Sequence, residues 1–168
     1  MLAALRRLGA DARLTRDPGD VLAADLAVLP GVGSAATAAA GLRAAGLDEA
    51  LQARVGHGGP TLGICLGLQL ALEESEEDGG VPGLGLVPGR AARLQEGRVP
   101  RIGWAAVERF GGDFYFAHSY AAETSAAIAH SEGVVAAAQF GSFLGVQFHP
   151  EKSGAAGARF LAGCLSHA

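Results

Sequence analysis

What this sequence lacks narrows its chemistry before any motif is found. It holds only two cysteines, Cys65 and Cys164, in 168 residues, too few for the disulfide framework of a small secreted domain. Charged residues are sparse at 18%, against a usual share of about 25%. No basic excess exists either: the formal charge is −4, which disfavours nucleic acid as the main partner. No run approaches the roughly 20 apolar residues of a membrane span. The opening stretch MLAALRRLGADARL does not read as a signal peptide, because its arginines interrupt the apolar residues and no cleavage pattern follows. No Cys/His set has zinc spacing. These absences predict one cytoplasmic domain over residues 1–168, with no metal and no cofactor. What is present is apolar: hydrophobic residues reach 49%, enough to fill an interior. Glycine is abundant, 26 residues, about twice the average share. Without a three-residue period these glycines read as turns and tight backbone approaches.

Two periodicities divide the chain. Leu2, Leu5 and Leu8 sit three apart and predict a short helix over 1–8, closed by Gly9. Residues 12–15 read as a strand, 20–24 as a helix, and 25–29 as a buried strand ended by Pro30. Ser34 is expected to cap a helix over 35–45, and Asp48 another over 49–55. A second buried strand over 60–65 runs into a helix over 66–74. Strand alternating with helix implies a mostly parallel central sheet with helices on both faces. The second half breaks into short turn-bounded segments near 89–94, 104–109, 114–119, 126–130, 134–139 and 142–148. Gly141-Ser142 is expected as a hairpin turn between the last two, and 154–167 as a closing helix. The acidic stretch 75–83 reads as a solvated loop.

The chemistry concentrates at two places. Gly63-Ile-Cys-Leu-Gly67 sits where a buried strand turns into a helix, an elbow that strains and exposes a nucleophile. The helix start favours a thiolate, and the backbone N–H of Leu66 can meet a developing oxyanion. From the elbow alone, Cys65 serves equally as a nucleophile or as a small core residue. Phe148-His-Pro-Glu151 changes the balance. His149 falls just past the carboxyl end of a strand, where open α/β sheets bind ligands. Glu151 lies two residues on, close enough to hold the imidazole's tautomer while His149 takes the thiol proton.

Gly63-Ile-Cys-Leu-Gly-Leu-Gln69 and His149-Pro-Glu-Lys-Ser153 resemble the nucleophile and base motifs of class I glutamine amidotransferases. Pro30-Gly-Val-Gly33, Val99-Pro-Arg-Ile-Gly-Trp104 and His118-Ser-Tyr120 narrow the resemblance to the glutaminase subunits of imidazole glycerol phosphate synthase. It implies a three-layer α/β sandwich with short antiparallel strands in the second half. It also implies that Cys65 attacks the side-chain amide of glutamine, with His149 as base and then acid and Glu151 orienting it. Leu66 and the Gly31-Val32-Gly33 strand are then the oxyanion donors. Gln69, Ser119 and Tyr120 bind glutamine, and Trp104 and Lys152 face the partner, a β/α-barrel cyclase that receives ammonia in a heterodimer. From the residues alone, Gly31–Gly33 serves equally as a plain loop, Tyr120 equally as a packing residue, and a lone tryptophan is more often core. His118 is read as structural, and His57, His130 and His167 as surface residues.

The sequence departs from the resemblance in two ways. The family's first strand and its D-Y-G-x-G-N-L loop do not precede the helix at Met1, so an N-terminally truncated domain with a missing strand is expected. Ala105 stands where a polar residue often follows Gly-Trp. Two other readings compete: another class I amidotransferase serving anthranilate, aminodeoxychorismate or pyridoxal phosphate synthesis, and a catalytically impaired assembly module.

Overall fold

The computed structural model describes residues 1–167. Its first half comprises α1 (Leu2–Arg7), α2 (Pro18–Ala23), β1 (Ala27–Gly31), α3 (Ala35–Ala44), α4 (Leu47–Gly56), β2 (Thr61–Cys65) and α5 (Leu66–Ala71). The two-residue strands β3 (Glu74–Ser75) and β4 (Val81–Pro82) follow, then β5 (Arg90–Arg93), β6 (Arg101–Val107) and β7 (Gly112–His118). The chain ends with β8 (Tyr120–Glu123), β9 (Ala127–Ser131), β10 (Val134–Phe140), β11 (Phe143–Val146) and α6 (Gly154–Ser166).

The main sheet runs β1-β2-β11-β10-β9. It is parallel across β1, β2 and β11 and turns antiparallel at β10 and β9. The central strand β2, Thr-Leu-Gly-Ile-Cys, is buried along its whole length, as a strand covered on both faces must be. Leu62 and Ile64 pack with Leu5 of α1, Leu161 of α6 and Phe114 and Phe116 of β7. On the other face, Leu51 of α4 and Leu68 of α5 share a cluster with Phe143, and Ala35 and Ala39 of α3 pack on Leu66 and Leu70. The layers are therefore helix, sheet, helix; the β6–β7 hairpin packs on the first face through Phe114 and Phe116, and a smaller sheet, β4-β3-β5-β8, packs on the other through Ala91 and Ala122.

Most element predictions land in place. Ser34 caps α3, its hydroxyl accepting from Thr37 N–H at 3.3 Å, and Gly141-Ser142 joins the paired β10 and β11. Four differ. Residues 12–15 find no ladder partner among the described residues; Arg13 and Thr15 instead bind the Asp20 carboxylate. β1 continues through Pro30 to Gly31, which an edge strand tolerates because the missing N–H costs no ladder bond on its open side. The second capping position is Gly46, in left-handed conformation, so Asp48 falls inside the first turn of α4. α5 stops at Ala71, where the chain turns out to form β3.

The acidic stretch is the more instructive difference. Glu77 accepts from Ala35 N–H at 3.0 Å, and Asp78 from Ala36 N–H at 3.1 Å and the Ser34 hydroxyl at 2.7 Å. These carboxylates satisfy the free N–H groups at the start of α3 from across the fold. That tie anchors the segment immediately after Gly31-Val32-Gly33.

Candidate active site

The site begins with a residue whose backbone is out of place. Cys65 ends β2 with φ +52° and ψ −107°, a conformation that non-glycine residues adopt only when their surroundings hold them there. The close approach around it explains the flanking glycines. A Cβ on Gly67 would collide with the Leu29 carbonyl oxygen, and one on Gly63 would lie 2.5 Å from the Phe143 ring. No side chain larger than hydrogen fits at either position without moving β1 or β11. The parallel register sets Gly31 directly beside Cys65, so the predicted oxyanion strand adjoins the nucleophile.

His149 reaches the same place from the next strand. Phe148 is locked among Phe114, Phe116, Phe110 and Phe160, the nearest ring centroid at 4.2 Å, which fixes where the chain leaves β11. The His149 N–H donates to Tyr115 O at 2.8 Å, and its carbonyl accepts from the Ser153 hydroxyl at 2.6 Å. Its Nδ1 lies 3.0 Å from Glu151 Oε1, leaving the other ring nitrogen free for the thiol. Hydrogen bonds with Cys65 and then with Glu151 push the imidazole up to about 9, against the opposing effect of burial. Burial pushes the Glu151 carboxyl up, but the bond to His149 and its own backbone N–H together hold it below its ordinary value. The arrangement is that of a sulfur hydrogen-bonded to an imidazole with a carboxylate behind the ring.

These groups open on one cavity of about 300 Å³. Gly31, Val32, Gly33, Leu66, Gln69, Ser119, Tyr120 and Lys152 line it with Cys65 and His149, so residues nominated from four separate stretches of sequence meet there. Glu151 stands behind His149 and not in the wall. Trp104 lies outside the lining on the exposed face of β6, edge-on to Tyr115 with centroids 6.0 Å apart, and Lys152 Nζ sits 5.7 Å from the same ring. The tryptophan is therefore not core. Val32, Ile102 and Trp104 are 79%, 63% and 58% exposed, an apolar rim beside the cavity. A larger groove of about 780 Å³, walled by β5, β8 and the β9–β10 turn, holds neither Cys65 nor His149. Among the described residues no group of three His, Cys, Asp or Glu could hold a metal ion.

His118 is also in the wall, and burial drives its imidazole down to about 4. Its Nδ1–H donates to Tyr120 O at 2.9 Å, so it remains neutral and unsuited to act as the base. Gln147 was not singled out from the sequence. It is completely buried, and its Nε2–H donates to Cys65 Sγ at 3.5 Å. The available signal was a lone amide inside the apolar run from Phe143 to Phe148.

Comparison with known proteins points to the same class of protein. The family described as "Glutamine amidotransferase class-I" matches residues 3–167. The chain is 45% identical over 177 residues to imidazole glycerol phosphate synthase subunit HisH of Symbiobacterium thermophilum, covering 95% of this chain and 84% of that protein. It is 44% identical over 173 residues to the subunit of the same name from Methanothermobacter thermautotrophicus, covering 92% and 85%. A crystal structure of a glutamine amidotransferase superposes with a TM-score of 0.75 at 24% identity, over 96% of this chain and 91% of that one, which shows the shared fold. The chain belongs to the class I glutamine amidotransferases and, within them, to the HisH subunits of imidazole glycerol phosphate synthase.

Proposed function

We propose that this chain hydrolyses the side-chain amide of glutamine to glutamate and ammonia, through a thioester on Cys65, and delivers the ammonia to the cyclase subunit in histidine biosynthesis. The observation that carries the reading is the meeting of Cys65, His149 and Glu151 at the rim of the main sheet, beside a cavity the size of an amino acid. The Cys65 thiolate adds to the amide carbon of glutamine. Negative charge then develops on the amide oxygen, and we assign the N–H of Leu66 and the backbone of Gly31-Val32-Gly33, which line the same cavity, to receive it. The C–N bond breaks as the His149 imidazolium gives its proton to the departing nitrogen, releasing ammonia and leaving the thioester. His149, now neutral, takes a proton from water; the hydroxide adds to the thioester carbon, and the C–S bond breaks to release glutamate. Glu151 keeps the ring in one tautomer throughout. Ser119 and Tyr120 in the wall, with Gln69 beside them, are the groups we assign to hold the substrate.

The apolar rim of Val32, Ile102 and Trp104, with Lys152 beside it, is the surface we assign to the partner, a β/α-barrel cyclase in a heterodimer. Ammonia released into an open cavity is lost to water, so a cover over this mouth serves the reaction. We read the chain as one cytoplasmic domain. A nucleophilic thiol suits a reducing compartment, and among the described residues no helix is long and apolar enough to cross a membrane.

The test is glutamate release measured with the cyclase subunit and its ribonucleotide present. The parent protein releases glutamate, and Cys65→Ala abolishes it. An unchanged rate in Cys65→Ala would refute the nucleophile. Co-purification with a different synthase in place of the cyclase would assign the chain to another amidotransferase.

A further inference from the structure

The mechanism above leaves one polar side chain at the reacting sulfur without a role. Gln147 follows β11, is 0% exposed, and touches Cys65 Sγ. The direction of its amide follows from a fixed acceptor two side chains away. The Tyr120 carbonyl can only accept, and it does so from His118 Nδ1–H at 2.9 Å and from Gln69 Nε2–H at 2.7 Å. Gln69 must therefore present nitrogen there, and the same nitrogen lies 3.2 Å from Gln147 Oε1. Gln147 must in turn present oxygen to Gln69, which leaves its own N–H facing the sulfur at 3.5 Å. Reversing either amide sets two acceptors or two donors face to face in a buried place, which is costly. A backbone carbonyl thus dictates, through two amides, a donor aimed at the nucleophile.

A donor held against sulfur favours the thiolate, which accepts well, over the thiol, which accepts weakly. We propose that Gln147 is a further catalytic residue, its amide N–H holding the Cys65 thiolate before attack, and that Gln69 is the positioning residue which orients it. The same bond serves the second half-reaction. When water's oxygen adds to the thioester carbon and the C–S bond breaks, the electron pair returns to sulfur, and the Gln147 N–H receives that charge. This role rests on the proposed glutaminase reading, and it gives the sulfur a donor beside His149, opposing the Ala117 carbonyl, which accepts from the thiol at 3.8 Å.

The experiment is the pH dependence of Cys65 alkylation by iodoacetamide, read on the Cys65 peptide by mass spectrometry. Cys164 does not interfere, because burial pushes its thiol up to about 11. The other charged or titratable groups around the site are His149 with Glu151 behind it, His118 from β7 with Arg101 near it, Tyr120, Lys152 and Glu77. All are retained in the variants. Gln147→Leu should slow Cys65 alkylation at pH 7 about tenfold and move its pH profile up by about one pH unit. Gln69→Leu/Gln147→Leu, which removes both buried amides and leaves Tyr120 O its His118 donor, should show the same upward move. It serves as the measurement if Gln147→Leu fails to fold. A folded variant with the parent's melting temperature and an unmoved profile overturns the role of Gln147. Glutamate release that survives Cys65→Ala overturns the glutaminase reading instead, and leaves the alkylation result standing.

Discussion

The two walls of the cavity are built to opposite standards. On the nucleophile's side every residue from 61 to 72 is buried, glycines lock β2 and α5 against β1 and β11, and even the amide facing the sulfur has only one permitted direction. On the facing side, Val32 and Ile102 stand exposed beside the opening, with Trp104 and Lys152 near them. One wall is finished within the chain and can hold a strained backbone. The other leaves apolar surface in water, the mark of an interaction face. Chemistry is preorganised where the fold over-determines it, and control is left where the fold is open.

The sharpest way to break this contrast is at the finished wall. Glu151→Gln replaces the acceptor behind His149 with a group that can donate, so kcat for glutamate release should fall roughly 10³–10⁴-fold. A steady-state assay with the partner present, alongside a melting curve near the parent's, checks it. Gly67→Ala attacks the packing itself: its new methyl has no space beside the Leu29 carbonyl, and a loss of about 3 kcal/mol in unfolding free energy is expected. Denaturant titration measures this; a loss below about 0.5 kcal/mol would mean that β2 and α5 are not locked.

The open wall should respond in the reverse way. Trp104→Ala removes a half-exposed ring from the rim and should leave the melting temperature alone. Binding to the cyclase should weaken by about 2 kcal/mol, roughly 30-fold in Kd, as read by calorimetry. Equal affinity with an intact fold would remove Trp104 from the interface. The smallest effect is with pH. Hydrogen bonding to Cys65 and Glu151 raises His149 to about 9, so the proton it gives to the leaving nitrogen is present below that value and lost above it. Glutaminase kcat/KM should decline as pH rises through about 9, and a decline centred near 6.5, the ordinary imidazole value, would contradict the ion pair.

How much was legible depended on whether a feature is local. The Cys65 elbow, the His149–Glu151 spacing, the Ser34 cap and the Gly141-Ser142 turn are each contained within a few residues, and the structure places them as read. Gln147 was missed because its meaning lies in Gln69 and Tyr120, 78 and 27 residues away in the chain. Each is a donor or acceptor only in relation to the others. Trp104 stayed open between core and partner surface for a related reason. A tryptophan buries large area when something covers it, and nothing in β6 alone says whether that cover belongs to the same chain. The acidic stretch 75–83 reads as solvated because its partners, the open N–H groups of α3, lie about 40 residues earlier.

By itself the sequence determined the alternation of strand and helix, the position of the elbow and the identity of the three groups to which we assign the chemistry. Those follow from backbone preferences and side-chain reactivity, which act over a few bonds. Only the tertiary structure decided that Gly31 lies beside Cys65, which amide faces the sulfur, and that the rim with the lone tryptophan is left bare. Register, hydrogen-bond direction and exposure belong to pairs of distant segments, and the chain specifies them only through the packing of the whole.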